Sequence, residues 1–442
     1  STPIKSSAAS DVYKRQVTEE VEKEDGTKET VEKVPAKKMA KIVKRPVAIN
    51  NIHPLWTKHP NECSDEDYKE FYRKVFHDYK EPLFWIHLNM DYPFNLKGIL
   101  YFPKINTEYE SIEGTIKLYN NQVFVADNIK EVIPEFLLLL KGVIDCPDLP
   151  LNVSRSALQN DGFVKKISDY ITKKVADKLS GMCKTDKENY EKYWDDINPF
   201  IKFGCLKDEK FAEKMNDYII FKNLDGKYLT LKECLEENKE KHENTVFYVT
   251  DEIEQSQYIN MFKNEGIDAV ILTHNIDQPF ITNMESKNEN LKFKRIDADL
   301  SDSFKEETSK DELKDMTEKL SKTFKDALGN ENLTVSVEKL KDASISSMIT
   351  LSEESRRMQD MMKMYGMAGM DPNMFGAEGQ TLVLNANNDL VKYVAEHADG
   401  ENTKIICEQL YDLAMLSHAP LSPEQMTGFI ARSNKIMELL AK

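Results

Sequence analysis

Apolar residues along the chain follow two spacings that alternate with each other. Short apolar runs typical of strands occur in GILYFP (98–103), TIKLYN (115–120) and QVFVAD (122–127). Segments with helical spacing lie around them, in DEDYKEFYRKVFHDY (65–79) and IPEFLLLLKGVI (133–144). This alternation predicts a layered α/β fold over residues 46–160.

The next part of the chain combines helices with a strand–helix–strand unit. Apolar residues keep a helical spacing from Phe163, which predicts a helical part over 161–220. TVFYVT (245–250) and DAVILT (268–273) flank a helix predicted near Ile253–Asn264. Two strands at that separation predict a parallel pair with a crossover, within a small α/β part over 221–300.

An acidic, polar stretch from 298 to 312 indicates a domain boundary. Beyond it we predict a helix over Lys310–Leu328, strands near Leu333–Val337 and Gln380–Leu384, and three further helices. The predicted fold class is therefore α/β (α+β) and multidomain. Its first domain covers 46–300, and its second covers 310–442 and ends in a helical hairpin.

The hairpin at the end of the chain has the clearest helix signals. Ser422, Pro423 and Gln425 fit an N-cap, a first helical position and a capping box. The apolar stripes of the last two helices cover each other only partly, which favours a four-helix bundle with a second copy. The alternative is a hairpin packed on its own domain. The candidate dimerisation residues are Leu410, Leu413, Phe429, Ile430, Met437 and Leu440.

The first 45 residues contain few large apolar side chains. Residues 17–45 are acidic and then basic, which is typical of a charged linker. Residues 6–16, SSAASDVYKRQ, match an in-frame translation of a transposase adapter used to prepare DNA libraries, with a natural polar tail as the alternative. We expect 1–16 to be such an artefact, most of 1–45 to be extended or disordered, and the chain to be a fragment.

Composition narrows the classes of partner. A net charge of −16 over 442 residues argues against a main role in binding nucleic acid or an anionic membrane. The six cysteines form no CxxC pair, which suits free thiols in a reducing cytoplasm. The longest apolar run is far shorter than a membrane span. We therefore expect a cytoplasmic chain with no nucleic-acid or membrane partner.

Motifs for self-sufficient catalysis are missing from the sequence. YGMAGM (365–370) lacks the Lys and Ser/Thr of a phosphate-binding loop, and no GxSxG elbow occurs. The histidines and cysteines form no cluster, so we expect no metal site. An autonomous enzyme is the weakest of the functional hypotheses.

One loop concentrates polar side chains just before a predicted helix. In DCPDLPLNVSRSALQN (145–160), two prolines fix an extended approach to Asn152, Ser154, Arg155 and Gln159. The arginine could present its planar guanidinium to a carboxylate or a phosphate. On residue types alone, a loop whose polar groups satisfy its own backbone is the favoured interpretation.

A second candidate surface is the methionine-rich run SEESRRMQDMMKMYGMAGMDPNMF. Methionine at helical spacing is usually core, but glycines and a proline interrupt this run. A mobile apolar surface that accepts many partners is the rival interpretation. The candidate residues are Met358, Met361, Met362, Met364 and Met367.

Several long motifs in the same order carry a resemblance to a known family. LPLNVSR, PLWTKHPNECSDEDYKEFYRKVFHDYKEPL, GILYFP and VFVADNIKEVIPEFLLLLKGVIDCPDLP resemble the middle domain of the ninety-kilodalton heat-shock chaperones. The similarity continues through the C-terminal region and covers 17–442. The sequence ends in MELLAK and does not show the acidic MEEVD tail of eukaryotic cytosolic members, and in this it resembles bacterial members of the family.

The resemblance implies a chaperone that binds unfolded or partly folded client proteins as a homodimer, with other bacterial chaperones as candidate partners. In the family an N-terminal domain binds ATP with Mg²⁺ and drives a clamp cycle. That domain is absent here, so the intact parent is expected to be an ATPase and the fragment alone is expected to be inactive and to bind no cofactor. A non-chaperone dimeric scaffold is the alternative.

The resemblance also implies residue roles. Arg155 matches an arginine that contacts the terminal phosphate of ATP, Asn152 and Gln159 match its polar neighbours, and Phe124 and Leu149 match apolar residues that seat the loop.

The methionine run matches an exposed segment facing the client cleft, and Trp56 matches an aromatic residue associated with client contact. An isolated Trp after a linker could equally be a domain-edge anchor.

Overall fold

A computed structural model describes most of the chain and confirms the mixed α/β class. The described residues are 10–22, 26, 28–42, 53–104, 114–128, 132–149, 161–240, 242–298, 302–306, 310–351, 380–418 and 420–441. No helix within these ranges combines the length and apolar character needed to cross a membrane.

The N-terminal segment contains a two-stranded antiparallel hairpin. Strand β1 (Ser10–Glu22) pairs with β2 (Lys28–Ile42). Gly26 lies between them with a φ of 76°, a value that glycine adopts without a Cβ clash. Of the two expectations for this segment, extended or disordered, these residues are extended. Their pairing was not predicted, because a highly charged segment carries little strand signal.

The first large unit is a five-stranded sheet covered on both faces. Its strand order is β3-β4-β7-β5-β6, with β5 and β7 parallel and the other neighbours antiparallel. One face packs on long helices and the other on helix α1 (Asp65–Phe76) and a short turn at Leu55–Thr57. The strands are β3 (Phe84–Met90), β4 (Leu96–Phe102), β5 (Ile116–Asn120), β6 (Val123–Asp127) and β7 (Lys141–Asp145).

The helical part consists of α2 (Asp161–Thr185), α3 (Lys187–Lys207) and α4 (Glu209–Met215). Helix α3 contains Pro199, which has no N–H to donate to the carbonyl of Asp195. The Asn198 side-chain amide compensates by donating to Asp195 O at 3.2 Å and to Trp194 O at 2.9 Å. The helix therefore continues through the proline.

The small α/β part confirms the predicted parallel pair. Strand β10 (Thr245–Val249) lies between β11 (Ala269–Ile271) and β12 (Lys292–Arg295), parallel to both. Sequence analysis missed β12, whose KFKR sequence is dominated by charge. The remaining elements are β8 (Ile220–Lys222), β9 (Tyr228–Thr230), α5 (Leu231–Glu237), α6 (Ser256–Asn264) and α7 (Asp277–Lys287).

The C-terminal part packs helices on a three-stranded sheet of order β13-β15-β14. The predicted helix α8 (Lys310–Leu328) has the expected bounds. Strand β14 (Ser347–Leu351) was missed because all five of its residues are buried, so that no polar alternation marks it. The other elements are β13 (Thr334–Glu338), β15 (Gln380–Asn385), α9 (Asp389–Glu396), α10 (Thr403–Leu416) and α11 (Pro423–Leu440).

An apolar cluster bridges the polar stretch that marks the domain boundary in the sequence, in addition to the separate cores on its two sides. Phe247 and Met261 from the small α/β part share one apolar cluster with Ile345 and Met348 from the C-terminal part. Tyr258 donates a hydrogen bond to the carbonyl of Ile349 across the same contact. The two parts are thus joined by buried side chains.

Asn385 provides a direct test of the C-terminal core. Its side chain is fully buried, accepts from Leu340 N and Asn387 N, and donates to the carbonyls of Asp342 and Ile345. Asn385→Ala should lower the free energy of unfolding by about 3 kcal/mol, because it leaves buried backbone groups unpaired. Urea denaturation measures this change.

The half-buried helix cap Asn388, whose Nδ2 also donates to Ala343 O at 2.9 Å, is the matched control. Asn388→Ala should cost about 1 kcal/mol through loss of the cap. Equal costs for the two asparagines would show that the buried network does not stabilise the core.

Candidate functional site

The stem of the polar loop is held by side chains from neighbouring strands. Strand β7 leads into residues 146–149, whose carbonyl groups accept hydrogen bonds from Asn120 Nδ2. The distances are 3.2 Å to Cys146 O, 3.2 Å to Pro147 O and 3.4 Å to Leu149 O. This single amide fixes the backbone that enters the loop. Asn152, Arg155 and Gln159 themselves lie outside the described residues.

Trp56 is an internal anchor beneath this stem. Its side chain is only 7% exposed, and its indole Nε1 donates to Asp145 Oδ2 at 3.1 Å. The same carboxyl oxygen accepts from Gln122 N at 2.9 Å. Rings of Phe71 and Tyr119 pack beside the indole. This burial favours the domain-edge anchor over the client-contact interpretation, since little of the ring is open to a client.

The two apolar residues expected to seat the loop lie in different environments. Leu149 is buried at the stem. Phe124 is 47% exposed on the edge strand β6, where its ring contacts Tyr119 and lies 5.7 Å from Lys117 Nζ. Leu149 therefore packs under the stem, whereas Phe124 adds exposed apolar surface at the sheet edge.

Sequence analysis missed the polar groups that hold the loop. Asn120 reaches the carbonyls of Cys146, Pro147 and Leu149 only because β5 and β7 are parallel neighbours. The sole sequence signal was an acidic residue at the end of an apolar strand. The methionine-rich run, 358–367, lies outside the described residues. Within the described ranges, no group of three His, Cys, Asp or Glu side chains could hold a metal ion.

The terminal hairpin exposes most of its predicted stripe. Helix α11 begins at the predicted capping box of Ser422 and Gln425, and none of its residues is buried. Ile430, Met437 and Leu440 are exposed, with Leu440 at 83%. Leu413 on helix α10 is also exposed, and Phe429 is half-buried.

Leu410 corrects the predicted dimerisation set. It is only 1% exposed and packs in the C-terminal core against residues of the sheet and α8. A side chain committed to its own domain offers no surface to a second copy. The helical stripe on α10 therefore faces inward at Leu410 and outward at Leu413.

Polar contacts hold α11 against α10. Arg432 forms an ion pair with Asp412 and lies 3.7 Å from Glu408. Gln409 Nε2 donates to Ser433 Oγ at 3.0 Å. These contacts use one side of α11 and leave its apolar stripe uncovered.

Comparison with known proteins identifies the family. A family model described as Hsp90 protein matches residues 3–442. The chain belongs to the Hsp90 family. Among similar proteins, the chaperone protein htpG of Bacteroides fragilis is 42% identical over 367 residues, covering 80% of this chain and 53% of the relative. The chaperone protein HtpG of Porphyromonas gingivalis is 41% identical over 363 residues, covering 78% and 52%.

A relative with lower sequence identity also matches most of this chain. The chaperone protein HtpG of Helicobacter acinonychis is 31% identical over 388 residues, covering 83% of this chain and 59% of the relative. This Hsp90 chain spans about half the length of the curated relatives it matches. The matched relatives are the bacterial, HtpG-type members.

Trp56→Phe tests the anchor interpretation in this Hsp90 chain. The change removes one of two hydrogen bonds to the buried Asp145 carboxyl group and should lower the free energy of unfolding by about 2 kcal/mol. Chemical denaturation measures the loss. Suppression of client aggregation should stay unchanged at temperatures where the variant is folded.

Trp85→Phe is the control, since that half-buried ring packs on Tyr68 and Tyr101 and its indole N–H makes no hydrogen bond among the described residues. If Trp56→Phe kept full stability but weakened client protection, the client-contact interpretation would be correct.

Proposed function

We propose that this chain binds partly folded client proteins and pairs with a second copy, as an HtpG-type Hsp90 chaperone. The observation that carries the proposal is the Hsp90 match over residues 3–442, with relatives named as chaperone proteins. The mixed α/β fold agrees with it, and the terminal hairpin leaves an apolar stripe that a second copy could cover. No observation favours the scaffold alternative.

Dimerisation is the part of the proposal with most structural support. A helix of 18 residues with no buried side chain gains little from its own fold, and its polar side is already used by Arg432 and Ser433. Packing against a second α11 would bury Ile430, Met437 and Leu440. Each such apolar side chain contributes about 1.5–3 kcal/mol when it is removed from water. A symmetric pair of hairpins gives the four-helix bundle.

Charges placed on the stripe should separate the copies. Ile430→Glu combined with Leu440→Glu should give monomers of normal fold, because burying unpaired charge costs several kcal/mol. Sedimentation equilibrium measures the mass, and circular dichroism checks the fold.

The matched control, Ala431→Glu with Lys435→Gln, makes the same change in net charge at exposed positions of α11 away from the stripe and should remain dimeric. An unchanged mass in the stripe variant would contradict the proposed interface.

Client binding is proposed for the methionine-rich run. Unbranched thioether side chains adapt to different partners, and the interrupting glycines and proline oppose a single packed helix. Met361→Ser with Met362→Ser should raise the chain concentration needed to suppress aggregation of an unfolded test protein by about tenfold. The expected loss is of this size because removing a methionine side chain from water on client binding contributes about 1.5–3 kcal/mol when burial is complete.

Light scattering measures the protection. The control is Tyr79→Ser with Tyr92→Ser, which removes two strongly exposed aromatic rings elsewhere on the surface. Equal losses in both double variants would mean that general surface apolarity, and not this run, holds the client.

In the complete protein we propose that Arg155 contacts the terminal phosphate of Mg²⁺–ATP bound mainly by an N-terminal domain. The fixed stem at Cys146, Pro147 and Leu149 supports this role, since a loop that must present a guanidinium benefits from a rigid base. Guanidinium donors can stabilise the charge that develops on the transferred phosphoryl group. Asn152 and Gln159 are proposed as the polar neighbours that orient it.

Arg155→Ala in a full-length parent should lower ATP turnover at least tenfold and leave ATP affinity nearly unchanged, because the contact acts mainly on the transition state. Arg155→Lys should restore turnover only partly, since an ammonium lacks the planar fork. Single-turnover hydrolysis with separately measured affinity distinguishes the two effects.

Lys165→Ala, an exposed basic position on α2, controls for loss of nearby positive charge. An equal loss of binding and turnover in Arg155→Ala would make that arginine structural.

A further inference from the structure

The chain turns where it leaves strand β7 and enters the polar loop. The hydrogen bonding between β5 and β7 continues one residue beyond β7, since Cys146 N donates to Tyr119 O at 3.1 Å. The backbone then closes a turn, in which Leu149 N donates to Cys146 O at 3.2 Å. This turn, 146–149, is the last described backbone before Arg155. Its orientation therefore sets the direction in which the loop leaves the sheet.

The carbonyl groups of the turn converge on one side chain. Asn120 Nδ2 lies 3.2 Å from both Cys146 O and Pro147 O and 3.4 Å from Leu149 O. Carbonyl oxygens that point toward one another repel, and the amide donor between them offsets that repulsion. Asn120 is half-buried, so water can reach these oxygens once the amide is removed. We therefore expect a substitution at Asn120 to loosen the turn and to leave the sheet folded.

Asn120 is presented from a hairpin turn that is itself strained. Between β5 and β6, Asn121 and Gln122 have φ values of 52° and 62°, in the left-handed region that favours glycine. Gln122 N donates to Asp145 Oδ2 at 2.9 Å, and this bond ties the hairpin to the end of β7. Strained backbone persists where surrounding contacts fix it, and it concentrates at functional sites. The Asn120 amide thus extends from a fixed base toward the loop stem.

A second contact holds the turn from the connection between β3 and β4. Asp148 Oδ2 accepts a hydrogen bond from Asn95 N at 2.7 Å. The turn keeps this anchor when the Asn120 amide is removed. Loss of the amide should therefore reduce the precision with which the loop is placed, and not release the loop from the sheet.

We propose that Asn120 is a positioning residue for Arg155 in the complete protein. Its amide holds the turn in the orientation from which the guanidinium reaches the terminal phosphate, so Asn120 acts through the backbone of the loop stem. Small displacements of a catalytic group are costly, because its interaction with the transition state depends steeply on geometry. This role depends on the proposed contact of Arg155 with ATP.

Single-turnover ATP hydrolysis by the full-length parent tests the positioning role. Asn120→Asp keeps the shape of the side chain but replaces the donor with a carboxylate, and it should lower turnover about fivefold with ATP affinity unchanged. The loss should be smaller than that of Arg155→Ala, because the arginine is still present. Asn120→Ala should show a similar loss and keeps the test valid if Asn120→Asp fails to fold.

Two further variants separate positioning from a general structural defect. Asn89→Asp makes the same substitution at an exposed position of β3, in the same sheet, and should leave turnover unchanged. Arg155→Ala combined with Asn120→Asp should be no slower than Arg155→Ala alone if Asn120 acts through the arginine. An independent defect would multiply the two losses.

Amide hydrogen exchange of the 442-residue chain reports on the turn without any ATP turnover. Leu149 N, which donates to Cys146 O, should exchange about fivefold faster in Asn120→Asp than in Asn89→Asp.

The outcomes distinguish this role from the proposed function. Full turnover in Asn120→Asp beside a slow Arg155→Ala would overturn the positioning role and leave the proposed function intact. Unchanged turnover in Arg155→Ala would contradict the proposed role of that arginine, and the positioning role would fail with it. Losses that multiply in the double variant, or unchanged exchange at Leu149, would also overturn the positioning role.

Discussion

The buried carboxylate of Asp297 joins the two main parts of the structure. Arg295 donates to it from Nε at 2.6 Å and from Nη2 at 2.8 Å, and His418 Nδ1 lies 3.5 Å from its second oxygen. Burial alone would raise the pKa of Asp297, but the Arg295 guanidinium and the His418 ring hold it well below its usual range. Removing one partner of such a buried pair typically costs ~3–5 kcal/mol, because an uncompensated charge remains. The segments that follow β12 and α10 therefore meet at Asp297.

This tie explains why the terminal helix is left uncovered. Helix α10 buries Cys407, Leu410 and Ala414 in the C-terminal core, and the segment after it is fixed at Asp297. Only the outer side of α10 remains for α11, which docks there through Arg432. Among the residues that the structure describes, the apolar stripe of α11 meets no further surface of its own chain. The proposed pairing of two copies thus follows from how the hairpin is anchored.

Local signals predicted local structure well. The Ser422–Gln425 capping box and the parallel β10–β11 pair could be predicted because their determinants lie within a few residues or within one crossover. Strand β14 could not, because a fully buried strand shows no alternation. The acidic stretch at 298–312 predicted a domain boundary. Apolar residues from its two sides nevertheless pack in one cluster, and this contact could not be predicted because the residues lie far apart in the sequence.

In the candidate sites, too, contacts between residues far apart in the sequence could not be predicted. The polar loop was predictable as a concentration of polar residues after a strand, but the Asn120 amide that fixes its stem contacts residues 26 to 29 positions away. The stripe on α11 was predicted from the spacing of apolar residues alone. The burial of the Leu410 side chain depends instead on how α10 packs against the sheet. The burial of Trp56 depends equally on a partner, Asp145, that is 89 positions distant.

Amide hydrogen exchange of residues 423–440, followed over a range of protein concentrations, tests most directly whether a second copy completes the terminal hairpin. A helix that packs on its own chain through one side alone opens readily, while a helix inside a four-helix bundle opens rarely. We expect slow exchange in α11 at high concentration and faster exchange on dilution, with the core strand β14 unaffected. Rapid exchange of α11 at every concentration would contradict it.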